Sequence, residues 1–146
     1  YSPSPQAFTH FGYNMLADEE IIVVSQFAGP DIDMAMDGSV FIINHDWELI
    51  KRLDAPPETI NEFGHSMAIY EEYIYVGDNF ADIEEEANAG CIYVYDKQGE
   101  LVNTILSPEP DGGENFAEVI VVKAENYGQS ACLGESFVRD VTSHAR

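Results

Sequence analysis

The sequence repeats itself with a period of 52 residues, and this period constrains the fold more than any other feature. When the chain is shifted by 52 positions, Phe11-Gly12 falls on Phe63-Gly64 and Gly38 falls on Gly90. Of the 52 aligned positions, 13 are identical, and the apolar pattern is kept between them. Such a period is typical of repeat architectures, in which one unit cannot bury its apolar surface alone and neighbouring units share a core.

Each unit contains four short runs rich in β-branched and aromatic residues, separated by Gly, Asp and Asn. Such runs predict strands, and no window of helical length carries a 3.6-residue period. We therefore predict an all-β chain of β-propeller blades, each made of four antiparallel strands. The predicted strands are 13–17, 21–24, 39–43 and 49–53 in the first unit, and 65–69, 73–76, 91–95 and 101–106 in the second.

The flanking residues extend this organisation. Residues 1–10 are expected to end a preceding blade, residues 11–62 and 63–115 to form two whole blades, and residues 127–146 to start a further one. Residues 116–126 are interpreted as an insertion or a broken strand, although Phe116 also fits the start of a unit. Because the chain opens on Tyr1 without a leader pattern, we expect a processed product or an excised piece.

Two blades cannot close a ring, because each leaves an apolar face and sheet edges uncovered. Three arrangements satisfy this constraint: a slice of a longer propeller, several copies that assemble into one, or a different closed β fold.

The net charge of the chain excludes some classes of binding partner. The chain has 27 acidic and 6 basic residues, which gives a net charge of −21. Such a surface repels nucleic-acid phosphates and anionic lipid, and no run approaches the roughly 20 apolar residues of a membrane span. The acidic surface suits a high-salt environment, cation binding or a basic partner.

The sequence contains two cysteines. Cys91 and Cys132 form either a single bridge or two buried thiols.

The second unit resembles the FG-GAP repeats of integrin α-subunit propellers. The resemblance lies in Phe63-Gly64-His65-Ser66, in Tyr75-Val76-Gly77 and in the strand 91–95 that follows Gly90; the first unit matches at Phe11-Gly12 and at Gly38. It implies a propeller in a secreted, cell-surface or virion protein that binds partners, usually without catalysis.

Integrin-type blades often hold calcium between their first two strands, where this chain has only Glu-Glu pairs, too short to wrap the ion. Acidic residues instead gather in the next loop of each unit. Calcium there is one hypothesis, and a solvated acidic rim is the other. The candidate ligands are Asp31, Asp33, Asp37, Asp78 and Asp82, with Glu84, Glu85 and Glu86 beside them.

We find no catalytic pattern. Gly128-Gln129-Ser130-Ala131-Cys132 lacks the closing glycine of a nucleophile elbow, and the four histidines show no zinc-ligand spacing. The Phe and Gly positions that are identical in the two units are interpreted as structural. The aromatic ring is expected to pack between blades, and glycine is expected to allow close approach or positive φ. These positions are Phe11, Gly12, Phe63, Gly64, Gly38 and Gly90.

Three aromatic residues in loops and turns are candidates for a binding face: Phe27, Trp47 and Phe80. Trp47 occupies a turn where the second unit has Gly99, so its ring either anchors a partner or folds over the neighbouring blade. The leading hypothesis is a non-catalytic extracellular module that binds protein or glycan. The alternative is a structural repeat of a virion fibre or extracellular assembly, in which copies join through exposed blade edges.

Overall fold

The computed structural model describes residues 9–28, 38–55, 62–82, 89–108, 116–117 and 119–121. Within these ranges the chain forms eight strands and no helix, so the all-β prediction is confirmed. The strands are β1 (Thr9–Ala17), β2 (Ile21–Ala28), β3 (Ser39–Asn44), β4 (Leu49–Asp54), β5 (Met67–Tyr70), β6 (Tyr73–Asp78), β7 (Cys91–Asp96) and β8 (Leu101–Leu106).

The strands form two antiparallel sheets, and in each sheet the strands lie in chain order: β1-β2-β3-β4 and β5-β6-β7-β8. The prediction of four antiparallel strands per unit is therefore confirmed. Short turns join the strands at one end of each sheet, which we call the tight-turn end (residues 18–20, 45–48, 71–72 and 97–100). The opposite end, where β2 leads to β3 and β6 leads to β7, is the long-loop end.

The second strand of each sheet and the third strand, which pairs with it, are buried on both faces, which explains their almost continuous apolar runs. Because successive side chains point to opposite faces, each sheet has two distinct apolar faces. The leading face carries Ile22, Val24, Phe41 and Ile43 in the first sheet and their equivalents Ile74, Val76, Tyr93 and Tyr95 in the second. The trailing face carries Ile21, Val23, Val40 and Ile42, and then Tyr73, Tyr75, Ile92 and Val94.

The main core lies between the trailing face of the first sheet and the leading face of the second. The two units thus meet through unlike faces, head to tail. An interface of this type can be repeated indefinitely, and it closes into a ring only if the rotation between units allows it. The described residues contain two sheets and no closed ring.

The Phe-Gly pair at the start of the second unit fills this interface. Phe63 is fully buried and packs its ring against Tyr93 and Tyr95, with centroids 5.7 and 6.4 Å away. A Cβ placed on Gly38 would collide with the carbonyl oxygen of Phe63. Glycine at position 38 therefore lets the backbone of the second unit lie directly on the first sheet.

The corresponding contact of the first unit is open. Nothing lies within 4 Å of where a Cβ would stand on Gly12, whereas one on Gly64 would meet Val40 at 2.7 Å and Ser25 at 3.1 Å. Met15 is likewise 63% exposed, although its equivalent Met67 is 5% exposed. The leading face of the first sheet is therefore open at its first strand, around Gly12 and Met15, whereas Ile22, Val24, Phe41 and Ile43 on the same face are buried.

This difference gives a matched test of the interface. Gly12 and Gly64 have nearly the same positive φ, 85° and 87°, so alanine at either position costs about 1 kcal/mol in backbone strain. Only Gly64→Ala adds steric overlap with the first sheet, which costs about 1–3 kcal/mol more. We expect urea unfolding to show that Gly64→Ala lowers the free energy of unfolding by clearly more than Gly12→Ala. Equal losses would contradict the interface.

Candidate binding surface

Trp47 lies in the turn between β3 and β4 at the tight-turn end. The turn is closed by hydrogen bonds from Trp47 N to Asn44 O at 3.0 Å and from Asn44 N to Glu48 O at 2.9 Å. The Asn44 side chain also accepts bonds from the amides of Asp46 and Glu48. This is a hairpin turn with a bulge, in which one residue must take a left-handed conformation.

The left-handed residue is Trp47, with φ of 65°. The turn between β7 and β8 has the same hydrogen bonds, centred on Asp96, and holds Gly99 at this position with φ of 83°. Glycine takes this conformation freely, whereas other residues are strained by it. Trp47 is nevertheless 75% exposed, and no ring among the described residues packs against it. The strain is therefore not offset by burial.

Acidic residues surround this turn. Asp46 and Glu48 flank Trp47, and the neighbouring β1–β2 turn adds Asp18, Glu19 and Glu20. The two turns are joined by His45, whose Nε2 donates to the carbonyl oxygen of Asp18 at 2.9 Å. These carboxylates therefore give the surface around Trp47 a negative electrostatic potential.

Lys97 joins the second sheet to this acidic turn, with its Nζ 2.9 Å from Asp18 and 3.3 Å from Glu20. The hydrogen bond to Asp18 raises the pKa of Lys97, against a smaller effect of burial. Burial works to raise the pKa of Asp18, but the amides of Ile21 and Glu20, together with Lys97, hold it below its usual value. Lys97 is thus engaged in ion pairs between the two sheets, and the residues that flank Trp47 in its own turn are acidic.

The other two candidate aromatics lie at the long-loop end. Phe27 lies in β2 and pairs with His10, and Phe80 follows β6 and is half-buried. The structure brings Phe27 and Phe80 to the same end of the sheets and places Trp47 at the opposite end.

Asp78, at the end of β6, is fully buried, and neither carboxylate oxygen has a hydrogen-bond partner. Burial raises the pKa of this carboxyl to about 6. The amides of Phe80, Glu62 and Ala81 lie close enough to lower the pKa partly, without reaching hydrogen-bond geometry. Amide hydrogens stabilise an anion and oppose a cation, so the surroundings of Asp78 do not resemble a calcium site.

Of the other candidate metal ligands, only Asp82 lies within the described residues. Asp82 is exposed, four residues beyond the buried Asp78. Asp31, Asp33, Asp37 and residues 84–86 lie outside the described residues, where calcium stays a prediction. Across the described ranges, no three His, Cys, Asp or Glu side chains are grouped to hold a metal ion.

Cys91 is a buried free thiol. Burial is the main cause that raises its pKa to about 11, and the nearby Asp78 adds to this. A thiol with so high a pKa is a poor nucleophile near neutral pH. Cys132 lies outside the described residues.

No family model, curated protein or solved structure matches this chain. Separately, no helix among the described residues is long and apolar enough to cross a membrane.

Sequence reasoning missed one feature of these surfaces and assigned a second one differently. The first is the burial of Asp78, because an acidic loop composition predicts exposure. The second is Phe116, which fits the start of a unit but which, on sequence alone, is interpreted as part of an insertion or a broken strand; its ring packs in a cluster with Tyr75, Ile92 and Val94. The signal for the second was available in the pattern Phe-x-x-x-Met of the two unit starts, which recurs at Phe116 with Ile120 in place of Met.

The buried carboxyl of Asp78 predicts an unusual pH dependence. The folded pKa of about 6 lies above the ordinary aspartate value of 3.8, so at higher pH the charged form destabilises the folded state, by about 3 kcal/mol for a pKa shift of about two. As the pH falls from 6 towards 4, the folded state binds a proton that the unfolded state does not, and the penalty is relieved. We expect Asp78→Asn to stabilise the protein at about pH 8, with the gain shrinking to near zero at about pH 4.

Urea unfolding over a pH series measures this effect, and Asp82→Asn is the matched control, because Asp82 is exposed. A loss of stability in Asp78→Asn at about pH 8 would show instead that the surrounding amides satisfy the charged carboxylate.

Proposed function

We propose that this chain is a non-catalytic binding module, built from consecutive blades of an extracellular β-propeller, that engages a protein partner at its tight-turn end. Two features support the propeller part: the meander of four strands in each sheet, and the head-to-tail packing of unlike faces. The open leading face of the first sheet, at Gly12 and Met15, fits a further blade. The extracellular setting follows from the FG-GAP resemblance.

The observation that carries the binding proposal is Trp47, an exposed ring in a strained conformation. Residues held in disfavoured backbone conformations cluster at functional sites. Tryptophan is also one of the side chains, with tyrosine and arginine, that are enriched among residues that dominate binding energy at protein interfaces. The hydrogen bonds of the turn do not require tryptophan at this position, because the equivalent turn makes the same hydrogen bonds with Gly99.

Charge indicates the partner. An indole face attracts a lysine or arginine side chain, and the carboxylates around Trp47 add attraction of the same sign. A partner segment rich in Lys or Arg fits both features. A glycan that stacks on the ring is the competing occupant, and it would show no dependence on salt.

Trp47 reports on its own environment, because it is the one tryptophan of the chain. We expect an oligo-lysine peptide to shift the Trp47 emission to shorter wavelength, with an affinity that falls as salt is added. Oligo-glutamate and a chitin oligosaccharide are the comparison probes. A shift with the oligosaccharide alone would replace the protein partner with a glycan, and no shift with any probe would contradict the binding role.

Trp47→Gly separates binding from folding. We expect this variant to lose about 5- to 30-fold in affinity for oligo-lysine, measured by calorimetry, since a cation–π contact contributes about 1–2 kcal/mol. Its free energy of unfolding should rise by about 1 kcal/mol, because glycine relieves the left-handed strain. A fall in stability would instead mean that the ring packs on the fold.

The exposed apolar edges favour a second candidate, a structural role in an assembly. The last strands of the two sheets, β4 and β8, carry Leu49, Leu101, Val102 and Leu106 on exposed surface. An apolar edge strand with unpaired backbone groups can pair with another chain. Copies of this protein would then join through these edges.

A lysine on the edge tests this role. We expect Val102→Lys to lower the solution mass measured by light scattering, because charge on an edge strand blocks pairing. Val119→Lys is the matched control, since Val119 is equally exposed (53% against 54%) but lies outside the strands. A wild-type protein that stays monomeric at high concentration would contradict the structural role.

A further inference from the structure

Phe116, Ala117 and Ile120 contact the second sheet in the way that Phe63, Gly64 and Met67 contact the first. A Cβ on Gly90 would collide with the carbonyl oxygen of Phe116, and one on Gly38 with that of Phe63. The side chains follow the same pattern. Phe63 and Met67 belong to the cluster on the trailing face of the first sheet, and Phe116 and Ile120 to the cluster on the trailing face of the second.

The backbone conformation repeats as well. Ala117 has φ of 71°, in the left-handed region that Gly64 occupies at 87° and Gly12 at 85°. Alanine is rarely found there, so the surrounding contacts must hold it. One such contact is a hydrogen bond that the Ser66 hydroxyl donates to the carbonyl oxygen of Ala117.

We infer that a third unit of the repeat begins at Phe116, 53 residues after Phe63, and that its first residues bind the trailing face of the second sheet. This start replaces the one expected at Tyr127. The occupant of that face is thus a segment of this chain. The inference concerns the order of units and does not depend on the binding role of Trp47.

The contact also explains an exchange of small residues. Gly64 packs against Ser25 in the first interface, and Ala117 packs against Gly77 in the second, 52 residues further along. A Cβ on Gly64 would lie 3.1 Å from that of Ser25, and one on Gly77 would lie 3.3 Å from that of Ala117. Closer overlaps would arise with Val40 for Gly64, and with the Ser66 hydroxyl and the Ala117 carbonyl oxygen for Gly77, so neither glycine can carry a Cβ unless these neighbours shift. The third unit thus has Ala117 where the second has Gly64, and the second sheet has Gly77 where the first has Ser25.

Amide hydrogen exchange on the full chain tests the inference. We expect Phe116→Ala and Ile120→Ala to speed exchange at the β7 amides of Ile92 and Val94 by at least about tenfold, because their apolar cover is lost. Val119→Ala is the control within the same segment, since its side chain is exposed, and it should leave those rates unchanged. Tyr127→Ala tests the competing start and should also leave them unchanged.

Faster exchange in Tyr127→Ala, with no change in Phe116→Ala, would overturn the inference and place the start at Tyr127. Equal rates in Phe116→Ala and Val119→Ala would overturn it too. If Phe116→Ala fails to fold, Ser66→Ala provides a milder test. Loss of its hydrogen bond to Ala117 should speed exchange at residues 116–121 about fivefold, and unchanged rates would count against the docking.

Discussion

The arrangement of the two sheets depends on one contact, in which the backbone carbonyl of Phe63 lies where a side chain at position 38 would stand. Only glycine at position 38 allows this approach. It brings the phenyl ring into the interface, where it fills the space between Val40 and Ile42 on one sheet and Tyr93 and Tyr95 on the other. The trailing face of the first sheet and the leading face of the second can then be apolar, because each covers the other from solvent.

Much of this organisation could be predicted from the sequence. The 52-residue period located both units, and the β-branched runs located all eight strands, since buried strands leave a strong signal in apolar pattern. The first strand was predicted too short. β1 begins at Thr9, ahead of the predicted start at Tyr13, because Phe11 still pairs with Gln26 before the register shifts towards Met15.

The features that the sequence could not supply depend on distances between units. Phe116 fits the start of a unit, but it stands one residue later than a period of 52 places it, and alanine at position 117 replaces the glycine of the Phe-Gly pair. The sequence alone therefore favoured a start at Tyr127. The burial of Asp78 depends on how the backbone of Glu62 approaches the end of β6, which composition cannot indicate. For Trp47, comparison with Gly99 located the unusual position, but the left-handed φ and the exposure required the structure.

The open surface of β1 at Gly12 and Met15 has a consequence for the cooperativity of unfolding. In an array whose units contact only their neighbours, stability is the sum of what each unit contributes and what each interface adds. The second sheet has described partners on both faces, whereas Gly12 and Met15 of β1 have none over them in the part of the chain that the structure describes. Opening of the chain should therefore begin as fraying of β1, and the second sheet should be the last part to lose its order.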